Sequence, residues 1–286
     1  MIRSSIRFEM PRSLDDALQI LADSGPDGRV LGGGSILVSA MSAGWESPKV
    51  VIDPVRLDLN RIDEDGHSVT FGARATYAAL LRSETIRTRV PLLHAMVGEV
   101  TGGPGLWNLA TVGGSCCYAN PASDAPACLM ALRAQFHLQS IRGKRVVSAA
   151  DFFRGAFVTD RAPDEMLTHI QVPCETVIAV AYSKLKHSAS SWPMVTGACQ
   201  RSFSDGKEHV SLGVGGLAAR PVFAAWTLDV PFDEKDAEFL ASEALAQVSV
   251  GWTDELADGS YRMKAAKPVT VRVLKRILEG NPWKQK

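Results

Sequence analysis

Leu31-Gly32-Gly33-Gly34-Ser35-Ile36 and, further along, Thr111-Val112-Gly113-Gly114-Ser115 are the stretches from which the fold is read. Each lies among apolar residues and sets bare backbone amides beside a small hydroxyl side chain. Glycine tolerates positive φ and carries no Cβ, so such turns suit a close approach of backbone to an anion. A diphosphate would fit between two of them, and a bulky residue at Gly33 or Gly113 would put a Cβ into its path. The common nucleotide signatures are absent: no G-x-G-x-x-G opens a helix after a strand, and no G-x-x-x-x-G-K-[ST] occurs.

Outward from the first turn, helix and strand signals alternate. Ser13 is an N-cap with Asp16 at the third helical position, and Leu14, Ala17, Leu18 and Leu21 recur at helical spacing. Gly25-Pro26-Asp27-Gly28 ends that helix. Val30 and Leu31 begin a buried strand that runs into the glycines, and residues 49–53 form another, giving a small βαβ-like unit. A strand at 69–71 meets Gly72 and a helix from about Thr76. Residues 91–100 read as an apolar helix broken by Gly102-Gly103-Pro104-Gly105, and 121–133 as a second. Strands are expected near 136–140, 145–147 and 167–172, then a linker at 173–176. Beyond it, 177–184, 198–204 and 209–214 are β-rich, while 232–248 and 261–278 have the periodicity of two long helices packed on that sheet.

The 286 residues are more than one core usually serves, so two domains are expected. With 31 basic and 31 acidic residues, nothing electrostatic favours nucleic acid or an anionic membrane as partner. Residues 1–7 lack the apolar run of a signal peptide and no stretch approaches a membrane span, so a cytoplasmic protein is expected. Cys116, Cys117, Cys128, Cys174 and Cys199 form no C-x-x-C and read as small apolar fillers, which excludes an iron–sulfur or zinc site within the chain. The six histidines are dispersed, and no catalytic triad or metal cluster can be assembled.

The two turns resemble those of the FAD-carrying medium subunit of the molybdenum hydroxylases, the family of bacterial carbon monoxide dehydrogenase, quinoline oxidoreductase and xanthine dehydrogenase. There an AGG-x-S turn and a T-I/V-GG-N/S turn cradle the FAD pyrophosphate, and a P-x-x-D follows, here Pro121-Ala122-Ser123-Asp124. The resemblance runs nearly end to end, through Pro11–Ala17, Phe71-Gly72-Ala73, Pro91-Leu92-Leu93, Gly143-Lys144-Arg145, Asp151–Gly155, Asp164–Leu167 and Tyr261-Arg262.

It implies an α+β chain: a two-subdomain FAD-binding domain of the vanillyl-alcohol-oxidase-like type over residues 1–174, divided at roughly 55/56, then a C-terminal α+β domain over 175–286. It implies that the amides of Leu31, Gly32, Gly33, Gly34, Ser35 and Ile36 and of Thr111, Val112, Gly113, Gly114 and Ser115 face the pyrophosphate, with Ser35 and Thr111 adding hydroxyls. Asp124 would accept from the sugar end, Leu167 touch the ring system and Lys184 lie near the flavin. Trp192 falls where relatives place a tyrosine on the isoalloxazine face. As a lone residue each has a plainer role: Asp124 a helix cap, Leu167 and Trp192 core, Lys184 a solvated strand cation.

The resemblance further implies partners, namely a small subunit with two [2Fe–2S] clusters and a large molybdopterin subunit in a dimer of heterotrimers. Electrons would pass to FAD and on to an external acceptor, with no catalytic residue of this chain touching the organic substrate. Two departures stand out: Trp107-Asn108 replaces an Arg-Asn or Arg-Tyr pair, and Ser115 replaces the usual asparagine. The alternatives are a stand-alone FAD oxidase of the same fold and an assembly protein that has lost the flavin.

Overall fold

The computed structural model describes residues 2, 5–228 and 232–279, so Met1, Arg3 and Ser4 of the N-terminal reading lie outside the described residues. The first sheet is parallel, with Val50–Ile52 between Arg7–Glu9 and Gly28–Val30. Its crossover is the helix Leu14–Ser24, capped as the sequence indicated: Ser13 accepts from the Asp16 amide at 3.1 Å. Ala17, Leu18 and Leu21 bury against Val50, Ile52, Leu57 and Leu59. The first glycine turn leaves the carboxyl end of Gly28–Val30, where the Leu31 amide donates to Ile52 O at 2.8 Å. Open parallel sheets bind ligands at this end.

The second sheet is antiparallel, in the order Ile62–Glu64, Ser68–Gly72, Met166–Pro173, Gln135–Ser140 and Gly143–Ser148. Between Gly72 and Gln135 the chain runs through short helices that cover one face, so that Phe71, Phe136, Leu138 and Ile170 share a core with Leu92, Leu93, Met96 and Leu129. The third sheet is a meander of Thr176–Lys186, Pro193–Ser204, Lys207–Gly215 and Val222–Leu228. Both faces are covered. A Cβ at Gly197 would meet Val269 and Val273 of the helix Gly259–Arg276, whereas one at Gly213 would collide with Ala127 of the helix Asp124–Ala131.

The observed elements differ from the expected ones in particular places. Gly102–Gly105, read as a break, leads into the short helix Gly103–Trp107, with Gly102 and Gly103 at positive φ. The linker shrinks to Cys174 and Glu175, because the Cys174 amide bonds His67 O at 2.7 Å and holds the chain against the second sheet. The strand Val222–Leu228 and the hairpin Phe153–Gly155/Val158–Thr159 were not anticipated. Among the described residues no helix is long and apolar enough to cross a membrane.

Candidate functional site

The two glycine turns meet. A Cβ on Gly32 would lie 2.7 Å from Thr111 Oγ1 and 3.7 Å from Gly114 Cα, and one on Gly33 would collide with the Leu109 carbonyl. At Gly113 it would stand 2.5 Å from Ala73 O and 2.6 Å from Ala73 Cβ. The glycines are therefore required for backbone to pack on backbone. This corrects the expectation that their missing Cβ atoms clear a ligand path: the vectors at Gly33 and Gly113 point into protein. Gly34 does require the conformational freedom of glycine, at φ 76°.

The amides of the two turns differ sharply. In the second, Val112 N donates to Ala75 O and Gly113 N to Ala73 O, each at 3.1 Å, while Gly114 N reaches Thr111 Oγ1 and Ser115 N reaches Thr111 O, also at 3.1 Å. Thr111 is the N-cap of the helix Val112–Tyr118, and Ser115 Oγ accepts from the buried Tyr77 hydroxyl at 2.7 Å. Those four amides are thus consumed within the chain, which corrects the expectation that they all face an anion. In the first turn, by contrast, only the Leu31 amide is spent, on Ile52 O, which corrects its place in the cradle, while the amides of Gly32, Gly33, Gly34, Ser35 and Ile36 have no acceptor among the described residues. A run of backbone donors left open beside a second turn is a cradle suited to phosphate oxygens.

Asp124 begins the helix Asp124–Ala131, yet the cap position belongs to Ser123 and the carboxylate turns inward, 6% exposed. Its Oδ1 accepts from Tyr182 Oη at 2.5 Å and Lys184 Nζ at 2.9 Å. Lys184 is almost fully enclosed and also donates to Glu99 O and to Thr101 Oγ1 at 3.3 Å, which corrects its reading as a solvated strand residue. Burial pushes the Asp124 carboxyl above its ordinary value, opposed by the Lys184 ammonium and the Tyr182 hydroxyl. Tyr182 and Tyr77 were both missed. Tyr182 was within reach, since it lies two residues before Lys184 and so on the same strand face.

Leu167 is 5% exposed in the core that also contains Val112 and Leu138. Trp192 is 39% exposed at the end of a loop before the strand Pro193–Ser204. The base of that loop is held by Arg262, wholly buried, which donates to Met194 O, to Gly216 O at 3.0 Å and to Asp254. A further contact joins the second turn's helix to the segment that leads into the helix Gly259–Arg276: Phe157, at φ 58°, sets its ring 5.1 Å from Tyr118 and 6.4 Å from Trp252.

The family model for the FAD binding domain in molybdopterin dehydrogenase matches residues 4–175. The chain is 30% identical to the carbon monoxide dehydrogenase medium chain of Afipia carboxidovorans, over 96% of this chain and 98% of that one. It is 29% identical to the glyceraldehyde dehydrogenase medium chain of Sulfolobus acidocaldarius, over 93% and 95%. Among solved structures, carbon monoxide dehydrogenase from Hydrogenophaga pseudoflava superposes with a TM-score of 0.89 at 26% identity, covering 98% of this chain and 99% of that one.

Proposed function

The chain belongs to the FAD-binding medium subunits of the molybdenum hydroxylase family, and we propose that within such a dehydrogenase it is the station from which electrons leave the complex. One observation carries the residue assignment: the open amides from Gly32 to Ile36 lie beside the Thr111 turn. These amides and the Ser35 hydroxyl would hold the FAD diphosphate, with the Thr111 and Ser115 hydroxyls closing the other side. Val112, Gly113 and Gly114 support this indirectly by fixing where Thr111 stands. Bound FAD supplies redox chemistry that takes electrons singly and gives them up in pairs.

The remaining assignments place Asp124 and Lys184 as a fixed, buried charge pair at the rim, Leu167 as apolar floor, and Trp192 as the aromatic face toward the isoalloxazine. Residues 1–174 would form the FAD-binding unit and 175–286 the C-terminal one. The relatives' names as medium chains support a heteromeric assembly. Its other members would be a small [2Fe–2S] subunit that delivers electrons and a large molybdopterin subunit that oxidises substrate, as a dimer of heterotrimers in the cytoplasm with an external acceptor.

Heat or acid release from the purified chain tests this. FAD should come off stoichiometrically with protein, and the isolated chain should hold neither iron nor molybdenum while the complex from its source holds both. A chain that neither carries nor takes up FAD would overturn the reading.

A further inference from the structure

We infer that Arg74 is an ionic hold on the diphosphate, supplementing the open amides of the first glycine turn. This rests on the FAD reading above.

The placement follows from the backbone on either side. Ala73 O and Ala75 O accept the amides of Gly113 and Val112, each at 3.1 Å, so the residues flanking Arg74 are those that fix the second turn. The Arg74 amide donates to Leu59 O at 2.7 Å, and its side chain runs to the carboxyl end of the parallel sheet. There Asp53 follows Ile52, whose carbonyl accepts the Leu31 amide at the root of the first turn. Arg74 thus has its main chain against one glycine turn and its guanidinium at the root of the other.

The guanidinium is under-used at that point. Its Nη2 stands 3.7 Å from Asp53 Oδ1, too far for a hydrogen bond, and its Nε is buried with no partner. Asp53 Oδ1 is already engaged by the Val55 amide at 3.0 Å as the cap of the short turn Pro54–Arg56. Arginine presents a planar fork of donors suited to phosphate oxygens, and a buried donor without an acceptor is costly. Trp107, just ahead of the second turn, supplies no charge, since its indole N–H is spent on Val100 O at 2.8 Å. Phosphate oxygens held by the amides of Gly32 to Ile36 would give the Arg74 fork the acceptors that Asp53 does not.

The test uses the full chain freed of flavin, titrated with FAD, with ADP, which carries the diphosphate without the ring system, and with riboflavin, which carries no phosphate. Arg74→Gln should weaken FAD and ADP about 10- to 100-fold, the range of a charged hydrogen bond. It should also flatten the salt dependence of binding and leave riboflavin unchanged. Arg74→Lys, which keeps the charge without the fork, should fall between. Asp53→Asn should bind FAD as tightly as the wild type. Equal losses in Arg74→Gln and Asp53→Asn would reduce the pair to a structural ion pair and overturn the inference, as would unchanged FAD and ADP affinity in Arg74→Gln. A wild-type chain that takes up no FAD would instead sink the functional reading itself.

Discussion

Thr111 Oγ1 stands 2.7 Å from where a Cβ on Gly32 would sit, and the same oxygen accepts the Gly114 amide at 3.1 Å. One atom therefore caps the helix Val112–Tyr118 and stands where the second turn faces Gly32 of the first. Gly32→Ala should push the hydroxyl off its cap and cost about 1–3 kcal/mol, as overpacking does. Thr111→Ala removes the obstacle, so the double variant should lose less than the sum of the single ones, by thermal or urea denaturation. Strict additivity would mean that the turns do not touch through this atom. FAD content should fall with Gly32→Ala in parallel.

Lys184 and Asp124 form an enclosed pair, with side chains 4% and 8% exposed. Removing one partner leaves a buried charge behind, so Lys184→Met should destabilise by about 3–5 kcal/mol. Lys184→Met combined with Asp124→Asn should recover much of that loss, because Tyr182 can still donate to the amide oxygen. Chemical denaturation of the three chains decides the matter. A double variant no more stable than Lys184→Met would show that the carboxylate is held by something other than this cation.

How much of this could be read from sequence depended on the range of each interaction. The Ser13 cap and the Ala17, Leu18, Leu21 stripe are local, and the structure bears them out. The first turn's open donors follow from glycine and loop signals alone. The second turn was legible only in part: Thr111, which takes the Gly114 and Ser115 amides, is local, whereas Ala73 and Ala75, which take those of Gly113 and Val112, are ordinary residues on a distant bend. Asp124 and Tyr182 are 58 positions apart, so neither announces the other. Arg262 entered the sequence reading as half of the Tyr261-Arg262 landmark with no role attached, and only tertiary structure shows it buried and bonded to Met194 and Gly216.

Arg145 binds two carboxylates at once, Glu165 through Nε at 2.6 Å and Asp160 through Nη1 at 2.6 Å. Hydrogen bonds from Arg145 hold both carboxyls below their ordinary values. A carboxyl that titrates lower folded than unfolded stabilises fully above its unfolded value, and that stability drains away as pH falls through the folded one. Arg145→Gln should accordingly melt below the wild type at neutral pH, and the gap should close as the pH falls below the ordinary carboxylate range. A gap unaffected by acid would assign the effect of Arg145 to packing of its stem.

Trp192 offers a half-open indole on a loop whose far side is anchored by Arg262 at Met194. Lys186 ties the near side, donating to Ala189 O at 2.7 Å and to Thr101 Oγ1 at 3.3 Å. A large aromatic held at both ends of its loop and left exposed suits an aromatic ligand face, and such contacts contribute about 0.5–1.5 kcal/mol beyond burial. Trp192→Ala should then shift the flavin absorption bands and slow turnover with the external acceptor, while Trp192→Tyr should restore both. Iron content and substrate-dependent reduction of molybdenum in the complex should not change, because the proposed function assigns both to partner subunits. If the spectrum, flavin retention and acceptor turnover of Trp192→Ala all match the wild type, the indole faces something other than the isoalloxazine.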